Sequence, residues 1–152
     1  MSDKKIYISS DHAGYRLKKR LVRYIKNELK LEIEDLGPHE YNKDDDYPNF
    51  AKKLTKKILK EKTDGILICG SGIGMSIAAN KIKGINAALV TNIKMAKASR
   101  EHNNSNCLCL GGKILTEDHA LAITKTWLNT KYKKEKRHER RLKKIKNIIK
   151  TS

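Results

Sequence analysis

The chain has 152 residues, enough for one domain with its own core, and no Ser/Pro-rich linker or shift of composition divides the first 130 of them. Its opening stretch, MSDKKIYISS, lacks the apolar run of about seven or more residues that a signal peptide needs, and no later segment approaches the roughly eighteen of a membrane span, so a soluble cytoplasmic protein is expected. The formal charge of +17, from 34 Lys and Arg against 17 Asp and Glu, invites a nucleic-acid reading, but the lysines are spread over every polar helix face and speak to solubility, so no specific nucleic-acid partner is expected.

Taken in order, the first β-rich run covers 6–9 and leads into the turn Ser9-Ser10-Asp11-His12-Ala13-Gly14. Leu17, Leu21, Tyr24 and Ile25 then recur at helical spacing. A second strand is expected over 31–36, followed by a helix whose face carries Ala51, Leu54 and Ile58. The third run, Gly65-Ile66-Leu67-Ile68-Cys69, is apolar throughout, as a central strand buried on both sides should be. It enters Cys69-Gly70-Ser71-Gly72-Ile73-Gly74 and a helical stretch over 75–81. A fourth strand over 86–90 ends in a turn at Thr91-Asn92, and a fifth over 106–111 ends at Gly111-Gly112-Lys113. Ala120, Ile123 and Trp127 mark another helix. The tail over 131–150 is dense in positive charge, yet Leu142, Ile145, Ile148 and Ile149 recur at helical spacing, which predicts an amphipathic helix rather than a disordered basic arm. Such alternation implies a single α/β domain over 1–152, a parallel sheet covered by helices on both faces. Ligand sites in such sheets lie beyond the carboxyl ends of the strands, where the four turns converge.

The segment from Cys69 to Gly74 carries the sharpest local signal, because three glycines at alternate positions link a buried strand to a helix. Backbone amides and the partial positive charge of a helix start favour an anion there. The spacing departs from nucleotide fingerprints, since G-x-G-x-x-G requires glycine where Met75 stands and no Gly-Lys-Ser/Thr follows. Cys69, at the strand's carboxyl end beside those amides, reads either as a proton-exchanging thiol or as a small buried residue. Cys107 and Cys109 lie inside a strand and read as core. Three cysteines without C-x-x-C spacing point to free thiols and no metal.

The turn Asp11-His12-Ala13-Gly14, Asp46-Tyr47-Pro48, Cys69-Gly-Ser-Gly-Ile-Gly74 continuing through Ala78-Ala79-Asn80-Lys81, His102-Asn103 before Asn106, and Arg137-His138 with Arg141 together resemble the type B ribose-5-phosphate isomerase family, which also includes galactose-6-phosphate isomerase subunits. The resemblance spans nearly the whole chain. It implies a Rossmann-like three-layer sandwich with a five-stranded parallel sheet, and a basic C-terminal helix over 131–152 that packs on a partner subunit. It implies a cytoplasmic isomerase of the pentose phosphate pathway that uses no cofactor and interconverts ribose 5-phosphate and ribulose 5-phosphate.

By the same resemblance Cys69 takes the proton beside the carbonyl, while the amides from Gly70 to Gly74, Gly72 among them, and the Ser71 hydroxyl hold the enediolate oxygen. His102 opens the furanose ring, Asp11 assists at the ring oxygen, and Asn103 holds a hydroxyl. Arg137 and Arg141, four apart on one helix face, hold the phosphate with His12 near. Tyr47 either lines the sugar pocket or packs beside Pro48. Some relatives carry a glutamate base where Met75 stands, so this chain resembles the cysteine-dependent kind. Where relatives often have arginine it has Lys113, which keeps charge but loses bidentate geometry. The family pattern is a homodimer with shared sites, sometimes doubled to a tetramer. The alternatives are an isomerase of a six-carbon aldose phosphate, allose or galactose 6-phosphate, and a non-catalytic basic nucleic-acid-binding module.

Overall fold

Five apolar runs become five parallel strands in a computed structural model that describes residues 4–148: β1 (Ile6–Ser10), β2 (Ile33–Asp35), β3 (Gly65–Cys69), β4 (Ala87–Leu89) and β5 (Cys107–Gly111), in the order β2-β1-β3-β5-β4. The apolar β3 is central, with Ile66 against Ile8 and Leu108, and Cys69 against Gly111. The edge strands β2 and β4 are three residues each, shorter than the runs 31–36 and 86–90 suggest, because each has a partner on one side only.

Period-two alternation within the all-apolar runs sorts the core. Ile8, Ile66, Ile68, Leu108 and Leu110 face α1 (Tyr15–Arg23), α4 (Ile93–Glu101) and α5 (Glu117–Asn129), against Leu17, Leu21, Ile123 and Trp127. Tyr7, Leu67, Cys69, Cys107 and Cys109 face α2 (Tyr47–Glu61) and α3 (Ile73–Asn80), against Leu54, Ile58, Met75 and Ala79. Each fully buried large aliphatic side chain contributes roughly 1.5–3 kcal/mol. Tyr24 and Ile25 lie in a wider π turn, Tyr24–Glu28, that continues α1. Helix α4 has no apolar face legible in the sequence. Its buried residues are Ala96, Ser99 and Glu101, and small or charged positions carry little periodic signal.

Helix α6 (Lys136–Ile148) realises the amphipathic tail but starts later than the helix expected from 131, because residues 131–135 run without regular structure and Lys133 binds back to Glu101; Ile149 lies outside the described residues. Its apolar stripe is open, Ile145 being 49% and Ile148 64% exposed. Among the described residues no helix is long and apolar enough to cross a membrane.

The loop after β3 fits beneath the end of β5 only because both carry glycine at the contact. Gly72 has φ of +82°, and a Cβ there would lie 2.6 Å from Leu89 Cδ1 and 2.9 Å from the Leu110 carbonyl carbon. A Cβ on Gly111 would lie 2.6 Å from the Ser71 carbonyl oxygen, which is backbone and cannot turn aside. Gly111→Ala is therefore expected to cost about 1–3 kcal/mol in urea unfolding. Because the strain falls on Ser71, activity should drop as well, although Gly111 carries no functional side chain.

Candidate active site

At the carboxyl edge, the loops after β1 and β5 close around the loop after β3. The Asp11 amide donates to the Ile68 carbonyl at 3.1 Å, Gly112 to Cys69 at 2.8 Å and Lys113 to Gly70 at 2.9 Å. Cys69 is 5% exposed, and its Sγ accepts the Gly72 amide at 3.2 Å. The first turn of a helix leaves its amides without intrahelical acceptors. Ser71 Oγ meets that of Ile73 at 3.1 Å, leaving those of Gly74 and Met75 as donors. Two of the loop's amides are thus spent on Cys69 and Ser71, which narrows the oxyanion set expected over 70–74. The Tyr47 ring packs over Gly74, its Cζ 2.5 Å from where a Cβ would stand, so it covers this loop rather than merely flanking Pro48. The stem of Lys113 lies against Gly70, its Cδ 3.7 Å from the corresponding Cβ position. Thr91-Asn92, at the same edge, serves α4 instead: Asn92 Oδ1 caps it by accepting from the Met95 amide at 2.8 Å.

Asp11 lies beside Cys69's strand and is 6% exposed, accepting from the Gly14 amide at 3.1 Å. Burial pushes its carboxyl above the usual range, aided by the charge of Asp45 and opposed by the Gly14 amide and His12. His12 Nδ1 lies 2.8 Å from Asp45 Oδ1. Ligand atoms of Asp11, His12 and Asp45 lie within 4.8 Å of one another, a set able to hold a metal ion, but here His12 directs Nδ1 to Asp45. Sequence reasoning passed over Asp45, because one carboxylate within Asp44-Asp45-Asp46 reads as solvated loop. Cys107 and Cys109 are core: hydrogen bonding between them and burial push the Cys109 thiol well up.

The other predicted residues lie at the opposite edge. Helix α4 runs antiparallel to the strands and ends at Glu101, so His102 and Asn103 precede the amino end of β5. Four strand steps of roughly 3.3 Å put the amino end of β5 about 13 Å from the level of Cys69, which pairs with Gly111. This end of α4 is rigid. Arg100 forms a fork with Asp64 at 3.1 and 2.9 Å, stacks 4.2 Å above the Trp127 ring and donates to the Ser105 carbonyl at 2.6 Å. Lys133 joins the tail to it, its Nζ 2.8 Å from Glu101 Oε2 and holding that carboxyl below its usual range. The His138 ring, 3% exposed and bonded through Nδ1 to the Lys133 carbonyl at 2.8 Å, lies 4.9 Å from that of His102, tilted by 38° to it. His102, Asn103, Arg137, His138, Arg141 and Leu142 line a cavity of about 170 Å³.

One chain thus gathers Asp11, His12, Tyr47, Cys69, Gly70, Ser71, Gly72 and Gly74 at one edge, and His102, Asn103, Arg137 and Arg141 at the other. The first half is a thiol with an amide-lined loop and a buried carboxyl; the second is an imidazole with two guanidiniums, which suits a phosphate.

Residues 6–145 match the family model described as Ribose/Galactose Isomerase. The probable ribose-5-phosphate isomerase B of Mycoplasma genitalium is 42% identical over 142 residues, 92% of each chain. The ribose-5-phosphate isomerase B of Mycobacterium tuberculosis is 39% identical over 93% of this chain and 88% of its own. Among solved structures, that of Clostridium thermocellum ribose-5-phosphate isomerase B superposes with a TM-score of 0.92 at 44% identity, covering 97% of this chain and 99% of the other. The Mycoplasma genitalium enzyme with bound ribulose-5-phosphate superposes with a TM-score of 0.91 at 39% identity, covering 97% of both. With sequence, sheet and loop chemistry in agreement, the chain belongs to the ribose/galactose isomerase family, among the ribose-5-phosphate isomerases of type B.

Proposed function

We propose that this chain interconverts ribose 5-phosphate and ribulose 5-phosphate through an enediolate, with Cys69 as the base. The observation that carries the reading is the Cys69 thiol at the lip of a glycine loop, its Sγ met by the Gly72 amide. The thiolate removes the proton from the carbon beside the carbonyl and returns it to the neighbouring carbon. The hydroxyl proton passes between the two oxygens, and no redox partner is needed. The amides of Gly74 and Met75, with the Ser71 hydroxyl, receive the charge that develops on oxygen, and donors of this type are typically worth about 3–4 kcal/mol of barrier each. Asp11, buried beside the strand of Cys69 and with its carboxyl raised above the usual range by that burial, assists at the ring oxygen.

His102 belongs opposite Asp11 for ring opening, since an imidazole passes protons either way near neutrality. In one chain it stands a sheet's length away. A second copy of the chain supplies it, and because His102, Asn103, Arg137 and Arg141 share one cavity, they arrive together. Two features support a two-fold assembly of this kind. Ile73, Ile77, Ile93 and Ile114 are exposed around the carboxyl edge. At the amino edge, α6 and the 82–88 segment enclose an open groove of about 1310 Å³ lined by Leu142, Ile145 and Ile148. The family description also names galactose, so a six-carbon aldose phosphate is the second reading.

A coupled assay with ribose, allose and galactose 5- or 6-phosphates side by side tests the substrate. Ribose 5-phosphate should be turned over fastest, and a flat response to all three would contradict the isomerase reading. Cys69→Ala should lower turnover by about 10²–10⁴-fold with little change in KM. Arg137→Ala and Arg141→Ala should chiefly raise KM, because the phosphate does not react and its contacts are shared by ground and transition states.

Asp11 also has a signature in stability. Burial lifts its carboxyl above the ordinary 3.8, so the folded chain holds that proton more tightly than the unfolded one. Its contribution to stability is therefore present below pH 3.8 and is lost as pH rises through the folded value. Asparagine keeps an acceptor for the Gly14 amide without the charge. Asp11→Asn should thus raise Tm at pH 7, lose that gain in acid, and lower activity.

A further inference from the structure

Asp45 stands in the 37–46 loop with its side chain 8% exposed, and one of its oxygens, Oδ1, accepts both the His12 backbone amide at 3.0 Å and the His12 ring at Nδ1, 2.8 Å away. The other, Oδ2, is buried with no hydrogen-bond partner among the described residues. A half-satisfied buried carboxylate is a poor device for stability alone. It is well made for aiming a ring. Carboxylate oxygen only accepts, so the ring proton is drawn to Nδ1 and Nε2 becomes the outward atom. Two bonds to one oxygen, from the backbone and ring of the same residue, remove the flip and rotation that a free imidazole has. The Tyr41 ring stands edge-on 6.1 Å from that of His12, and Tyr15 stands 6.3 Å from Tyr41.

The loop that delivers Asp45 is itself anchored. Lys18, fully buried, bonds Asp35 Oδ1 at 2.8 Å and the Pro38 carbonyl. The Gly37 amide donates to Asp35 Oδ1 at 2.8 Å, Ser9 Oγ to the Gly37 carbonyl at 2.7 Å, and Lys53 Nζ to the Leu36 carbonyl at 3.0 Å. We propose that Asp45 is a positioning residue that locks His12 in its Nδ1–H form, so that Nε2 is the atom presented to a substrate oxygen. The role in turnover rests on the isomerase reading above, whereas the lock itself does not.

The test joins spectra with kinetics on the full-length protein. Nitrogen-15 labelled histidine resolves the two tautomers, and a His12→Gln spectrum assigns the His12 signals. Wild type should show His12 with the proton on Nδ1. Asp45→Asn retains a carbonyl oxygen for both donors and should keep that form, while Asp45→Ala should lose it. Loss of an outer partner of this kind typically costs about 10–100-fold in activity, so kcat/KM should fall by that factor in Asp45→Ala and largely recover in Asp45→Asn, with Tm little changed. A wild-type His12 protonated on Nε2, or a spectrum unmoved in Asp45→Ala, would overturn the lock. A shifted tautomer with kcat/KM within twofold of wild type would overturn the positioning role. Inactivity of the wild type towards ribose 5-phosphate would instead sink the isomerase reading, and the spectra would still decide the lock.

Discussion

In an all-parallel sheet every strand ends at one edge and every returning helix ends at the other. This directional constraint decides what one chain can do. Loops after β1, β3 and β5 must meet at the carboxyl edge, and they bring a buried carboxyl, a thiol and a ring of amides together. The residues that follow α4 must lie a strand's length away, and the tail, tied to Glu101 through Lys133, lies there with them. On the proposed reading the two halves complement each other. The carboxyl edge holds Cys69, the loop amides, Asp11 and His12, and the amino edge holds His102 with Arg137 and Arg141.

Each half is stiffened by a different kind of interaction. At the carboxyl edge the loops touch backbone to backbone, which is why glycines at 72 and 111 meet the Ser71 and Leu110 main chain so closely. A loop that offers its amides to an anion gains from this, since preorganised donors need not rearrange as charge develops. At the amino edge the rigidity comes from charge and ring contacts, with Arg100 fixed between Asp64 and Trp127 and the His138 ring packed at a tilt against His102. Glu101, held below its usual range chiefly by its hydrogen bond from Lys133, ties the tail most firmly when ionised. That tie weakens as pH falls through its lowered folded value, below the ordinary 4.5.

The sequence made the sheet legible because its strands are either apolar throughout or bounded by glycine turns, and strand–helix alternation leaves few other topologies. The carboxyl-edge site was equally legible: Cys69 through Gly74 states a strand, a turn and a helix start in six residues. Helix α4 was not, since Ala96 and Ser99 fill its buried face without apolar periodicity. Asp45 was missed because its role depends on a long-range contact with His12, and nothing local separates it from Asp44 and Asp46. The tail posed the opposite problem. The stripe of Leu142, Ile145 and Ile148 predicts a packed helix, and the helix forms, yet Ile145 and Ile148 stay 49% and 64% exposed along an open groove.

The central claim is that a working site takes Cys69 from one chain and His102 from another. Cys69→Ser and His102→Gln proteins, each nearly inactive, can be unfolded together and refolded as a mixture. Random pairing makes about half the dimers mixed, and in each of these one site collects both defects while the other is intact, so roughly one site in four recovers. The account predicts that the mixture regains about a quarter of wild-type activity per site. Activity remaining at the level of the separate variants, with mixed dimers confirmed by mass spectrometry, would contradict it.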